Sequence, residues 1–305
     1  MTAPFADRLA DAVDRAGNPC VVGLDPHLAH LPEEFSAARD AAAPRAERAR
    51  AIGDFLVEIV DACAGRVPAV KPQSAFFEAF GADGVHEFER VVAASKDAGL
   101  LVVGDVKRGD IGSTAAAYAQ AFLTGLEGQD PRTLCDAITV NPYLGTDSIA
   151  PFVDACRAAD AGLYVLVRTS NPSSAELQAV EAGADGATVS DLVADAVVGW
   201  GSELVGERGW SSIGAVVGAT HPDELARLRE RMPRTPLLLP GYGAQGAGAA
   251  DVAGGFRDGL HGALVNSSRG ILFAGSKRPE MHWKDAAVEA MESMASELRA
   301  VLLER

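Results

Sequence analysis

The sequence predicts an α/β fold closed as a (β/α)8 TIM barrel. Three observations carry that expectation. Eight short runs rich in Val, Leu and Ile recur along the chain. Longer amphipathic segments separate them, and no linker interrupts the 305 residues. Strands buried on both faces of a parallel sheet read as near-continuous apolar runs, and regular β–α alternation builds such sheets. Single barrel domains span roughly 200 to 400 residues. An open doubly wound sheet is the alternative.

The eight runs are CVVGL (20–24), RVPAVK (66–71), LLVVGDVK (100–107), CDAITV (135–140), GLYVLVR (162–168), SIGAVVG (212–218), TPLLLP (235–240) and GALVN (262–266). Helical patterns lie between them, as in AERARAIGDFLVEIVDAC (46–63) and GVHEFERVVAASKDAG (84–99). In the second, Val85, Phe88, Val91 and Val92 recur at helical spacing and predict a buried stripe. A mixed insertion follows the first run, over about residues 26–45. The Gly/Ala-rich piece 241–255 reads as a loop and a helix start. A last amphipathic helix, about 281–303, is expected on the barrel exterior. The chain, 1–305, thus reads as one domain.

Hydrophobic residues make up 48% of the chain, enough for a large core. The formal net charge of −15 repels nucleic-acid backbones and anionic bilayers, so neither is an expected partner. Asp7, Arg8, Asp11, Asp14 and Arg15 interrupt the apolar stretch that a signal peptide would need. No run of about 18 apolar residues marks a membrane span. The four cysteines, Cys20, Cys63, Cys135 and Cys156, form no CxxC pair. Reduced, buried thiols in a cytoplasmic protein are expected.

Charges gather at the predicted strand ends. GDVKRGDIGST (104–114) places Asp105, Lys107 and Asp110 directly after an apolar run. Residues two apart on a strand share a face, so Asp105 and Lys107 are expected to face the interior with Leu101 and Val103. Asp25 ends the first run and Lys71 the second. Active sites of such barrels sit where the strands end. Asp25, Lys71, Asp105, Lys107 and Asp110 are therefore expected around one cavity, where alternating charges hold one another ionised.

The seventh run leads into PGYGAQGAG (240–248) and the eighth into NSSRG (266–270). Loops at these two places commonly bind phosphate in barrels, with glycines admitting backbone N–H groups and Arg269 offering a forked cation. A phosphorylated small substrate is expected. GYGAQG is not a dinucleotide fingerprint, because no βαβαβ unit and no ribose-binding acid follow it. GILFAGSK (270–277) has Ser before Lys, the reverse of a P-loop. The histidines show no metal-ligand spacing; His27 and His30, near Asp25, are the weak exception, and no metal is expected.

DVKRGDIGST fits the D-x-K-x-x-D-I-x-x-T signature of the orotidine 5'-phosphate decarboxylase family. VGLDPH (22–27), AVKPQ (69–73), VRTSNP (167–172), PGYGAQG and NSSRG resemble that family's other site segments, in the same order, across residues 20 to 273. The insertion and NPYLG (141–145) are similar to its longer bacterial subgroup. The resemblance implies a barrel homodimer that converts orotidine 5'-monophosphate to UMP and CO2 in de novo pyrimidine synthesis, with no metal or organic cofactor. It implies a tetrad of Lys71, Asp105, Lys107 and Asp110, with Lys107 as proton donor to C6. Asp25 would hold the ribose hydroxyls and Ser170 the pyrimidine. Gln245 would bridge base and phosphate, and Arg269 would bind the phosphate. Asp110 and Thr114 would reach the neighbouring subunit's site. Mg²⁺-dependent sugar-phosphate decarboxylases or aldolases of the same superfamily are the alternative.

Overall fold

A computed structural model describes residues 3–182, 186–243 and 246–304. Eight parallel strands close into one barrel in chain order: β1 (Cys20–Leu24), β2 (Ala69–Pro72), β3 (Leu101–Arg108), β4 (Ala137–Val140), β5 (Gly162–Arg168), β6 (Ile213–Val217), β7 (Leu237–Leu239) and β8 (Ala263–Ser267). Each coincides with one of the eight apolar runs. Pairing of β1 with β8, Cys20 opposite Val265, closes the ring and rules out the open sheet.

The outer helices include Arg45–Cys63 and Gly81–Asp97, which match the two patterned segments. The second stripe is narrower than the spacing predicts. Phe88, Val91 and Val92 are buried, but Val85 is 45% exposed. The insertion after β1 is a pair of 3-10 turns, Leu28–His30 and Glu33–Arg39. Its Phe35 packs edge-on against Trp283, at the start of the C-terminal helix (Trp283–Leu303). That helix buries Ala287, Met291, Leu298 and Leu302 against the barrel wall.

The barrel interior is filled from below. Inward residues such as Val21, Leu101, Val103, Tyr164 and Leu264 pack with Phe5, Leu9 and Val13 of the N-terminal helix (Phe5–Ala16). This helix covers the floor, where the strands begin. Phe5 meets Tyr164 edge to face at 6.2 Å and lies over Gly162, where any Cβ would collide with its ring. All four cysteines are free and buried, and burial pushes each thiol up to about 12.

Candidate active site

At the opposite end the strands finish around a cavity of about 450 Å³. Lys71, Asp105, Lys107, Thr139 and Ser170 line it. Lys71 points inward from β2 and is 4% exposed. Its Nζ lies 2.7 Å from Asp105 Oδ2. Lys107 Nζ lies 2.5 Å from Asp105 Oδ1. Gln73 Nε2 donates to Oδ2 at 3.0 Å and Thr139 Oγ1 donates to Oδ1 at 2.9 Å, so the carboxylate accepts four hydrogen bonds.

Burial by itself would raise the Asp105 carboxyl, but the two ammonium groups and their hydrogen bonds outweigh it and hold it well below the usual carboxylate range. Burial likewise opposes the Lys71 ammonium, and the charges of Asp105 and Asp25 more than restore it, so its pKa is raised. Asp105 and Lys71 stay ionised although both are buried. Buried ion pairs of this kind rarely add net stability over packed apolar side chains, so stability by itself is a weak account of the network.

Asp105 and Lys107 share the cavity, but not through simple strand alternation. The ladder to β4 shifts register between Gly104 and Arg108, and Lys107 takes a positive φ of 44°. The backbone turns to deliver the ammonium, and the Lys107 side chain remains 44% exposed on the cavity side.

Asp25 follows β1 directly, and its Oδ1 is buried with no hydrogen-bond partner. A buried acceptor in that condition costs free energy unless a ligand donor meets it. Asn266 Oδ1, at the end of β8, is buried and unpartnered in the same way. Ser170 is placed by its neighbour: Arg168 is 3% exposed, pairs with Glu224 at 2.6 Å and donates to Ser174, which fixes the loop after β5. Gln178 accepts from the Thr169 N–H at 2.8 Å and closes that loop.

Arg269 begins a short helix (Arg269–Leu272) after β8 and is exposed. With His30, Gly243, Phe273 and Lys277 it lines a second cavity of about 400 Å³. His27 lies between the two regions and feels both Asp25 and Arg269; burial chiefly, with Arg269 and His30, keeps its pKa below the usual value. Gln245 falls outside the described residues. Asp110 is not joined to the Lys71–Asp105–Lys107 network within one chain; its Oδ1 accepts from the Ile111 N–H at 2.8 Å. Thr114 is exposed on the helix Gly112–Ala119 and is not among the residues that line the cavity of its own chain.

Sequence reasoning missed Gln73 and Thr139. Gln73 stands two residues after Lys71, so the same alternation argument applied one step further would have reached it. Thr139 gives no such signal, because one Thr in an apolar strand reads as an ordinary β-former. Among the described residues no three His, Cys, Asp or Glu side chains converge as a ligand set for a metal ion.

Fold and site together define a barrel enzyme, with ionised groups fixed at the strand ends and a cationic, glycine-rich corner beside them. Residues 19–282 match the model of the orotidine 5'-phosphate decarboxylase / HUMPS family. A Rhodopirellula baltica orotidine 5'-phosphate decarboxylase is 43% identical over 97% of this chain and 99% of its own. One from Deinococcus radiodurans is 42% identical, over 90% and 91%. The structure of Leishmania donovani OMP decarboxylase superposes with a TM-score of 0.75 at 31% identity, covering 98% of this chain and 99% of that one. A crystal structure of a putative orotidine 5'-phosphate decarboxylase from Streptomyces avermitilis gives 0.80 at 40% identity, covering 99% and 97%. The chain belongs to the orotidine 5'-phosphate decarboxylase family.

Proposed function

We propose that the chain is a carboxy-lyase that converts orotidine 5'-monophosphate to UMP and CO2, with Lys107 as the proton donor. The single observation that supports this most is the Lys71–Asp105–Lys107 array at the cavity wall. When the C6–carboxylate bond breaks, its electron pair stays on C6 and CO2 departs. The carbanion has little resonance support, so a fixed cation beside C6 lowers the barrier as the charge develops. The Lys107 ammonium supplies that cation and then transfers its proton to C6. Asp105 holds Lys107 in place and sets a negative charge near the substrate carboxylate. Lys71 balances Asp105 so that the array remains ionised.

Asp25 takes the ribose hydroxyls through its unpartnered Oδ1. Ser170 meets the pyrimidine, Gln245 bridges base and phosphate, and Arg269 takes the phosphate. Grip on the phosphate contributes binding energy that acts at the transition state. No metal or organic cofactor takes part in this reading. The whole chain, 1–305, acts as one cytoplasmic catalytic domain. Two copies associate so that Asp110 and Thr114 complete each other's sites. Ile111 (52% exposed), next to Asp110 in the chain, and Tyr143 (76%) and Leu144 (50%), in the loop after β4, leave apolar surface for such a contact.

The test is a spectrophotometric assay of the purified protein with orotidine 5'-monophosphate, with and without excess EDTA. Loss of substrate absorbance that EDTA leaves unchanged supports the reading. Turnover abolished by EDTA, or turnover only of sugar phosphates with Mg²⁺, assigns the chain to the metal-dependent branch instead. Sedimentation combined with activity in mixtures of Asp110→Ala and Lys71→Ala chains tests the shared sites. Recovery of activity on mixing supports them, and none on mixing removes them.

A further inference from the structure

The ladder between β3 and β4 holds a residue to which neither the motif nor the charge pattern points. Val103 pairs with Ala137 and Gly104 with Ile138, but the next pair is Arg108 with Val140. Asp105, Val106 and Lys107 therefore stand opposite a single β4 residue, Thr139. Lys107 takes up the surplus chain with φ 44°. A side-chain-bearing residue keeps that conformation only where its surroundings hold it there.

The bulge also leaves the Lys107 N–H without a regular ladder acceptor, and a backbone N–H at such a place needs another. Thr139 Oγ1 accepts it at 2.9 Å. The same oxygen lies 2.9 Å from Asp105 Oδ1. A hydroxyl carries one proton and two lone pairs, so it can serve both at once. The Lys107 N–H can only donate and the ionised Asp105 carboxylate can only accept. The hydroxyl proton is thereby directed at Asp105. Thr139 is 1% exposed and lines the cavity.

We propose that Thr139 is a positioning residue for the decarboxylation. Its one hydroxyl sets the Lys107 backbone and the Asp105 carboxylate relative to each other, and so aims the ammonium. This rests on the reading of Lys107 as proton donor. The plain alternative is that Thr139 is present for its β-branched shape, a role that valine would fill equally well.

That alternative fixes the experiment. Thr139→Val keeps the shape and removes the hydroxyl, whereas Thr139→Ser keeps the hydroxyl and removes the methyl. The expected result for Thr139→Val is a kcat lower by about 10- to 100-fold, as for a displaced catalytic group. Its KM should stay within about threefold, since the lost contact does not touch substrate. Thr139→Ser should return kcat to within about threefold of wild type. A Thr139→Val enzyme with unchanged kcat overturns the proposal, and so does a Thr139→Ser enzyme as slow as Thr139→Val. Should Thr139→Val not fold, Thr139→Cys, with a far weaker hydrogen-bonding group of similar size, takes its place in the comparison. The reading beneath the proposal fails separately: a wild type that does not turn over orotidine 5'-monophosphate, or a Lys107→Ala variant that still does, removes the reaction or the donor and not the positioning.

Discussion

Two buried aspartates on neighbouring strands show how differently the two ends of the barrel are built. Asp136, just before β4, sits at the floor and is 7% exposed. It takes Arg8 at 2.6 Å and the Val102 N–H at 2.9 Å, tying the N-terminal helix to the start of β3. Asp105, near the end of β3, is 6% exposed and takes two lysines, Gln73 and Thr139. Burial and pairing are alike at both. What differs is the setting. The floor aspartate fastens the N-terminal helix to β3 and is not among the residues lining the mouth cavity. The mouth aspartate borders about 450 Å³ of space, a shifted register and a residue at positive φ. A buried ion pair alone does not mark a functional site; strain and space beside it do.

The largest expected effect lies at the mouth. Lys107→Ala should lower turnover by about 10²- to 10⁴-fold, the range for losing a positioned proton donor. Product-nucleotide binding by calorimetry should remain measurable, and turnover near wild type would end the assignment. The floor should respond in the opposite sense. Phe5→Ala empties the space over Gly162 and should cost about 3–5 kcal/mol of stability by urea denaturation, with kcat unchanged at low temperature. A matching loss of kcat would mean that the two ends are not independent.

A smaller effect is expected from Asp136→Asn. It weakens the Arg8 contact and should cost about 1–3 kcal/mol, again without a change in turnover. The finest test uses pH. The folded pKa of Asp105 lies below its unfolded value of about 3.9. Its stabilising contribution is therefore complete above that unfolded value and is lost as pH falls through the folded one. The stability difference between wild type and Asp105→Asn should be flat from neutral pH down to about pH 4 and shrink below it. A difference that instead closes near neutrality would show that Asp105 is not held low.

The eight strands were legible because each is a short apolar run bounded by polar segments, and a parallel barrel buries such runs on both sides. Asp25, Lys71, Asp105 and Lys107 were legible as a group because strand ends in a barrel meet at one mouth. The register shift was not. Alternation assumes a regular strand, and nothing in LVVGDVKR announces surplus chain opposite β4. Thr139 was hidden for the same reason, since its role exists only across that irregular pairing. The placement of Asp110 and Thr114 outside their own chain's network was legible only through the family resemblance. The N-terminal helix as a floor was also out of reach, because its partners, Val21, Leu101 and Tyr164, come from distant parts of the sequence.

The four sealed thiols have a practical consequence. Cys20 lies in β1, Cys63 ends the helix before β2, Cys135 precedes β4 and Cys156 lies in the helix before β5. Each is protonated and enclosed at neutral pH, so alkylating reagents can reach it only when its own sector opens. The rate at which each sulfur is labelled, read by peptide mass, is therefore a clock for local opening. One unmodified protein carries four such clocks distributed around its wall.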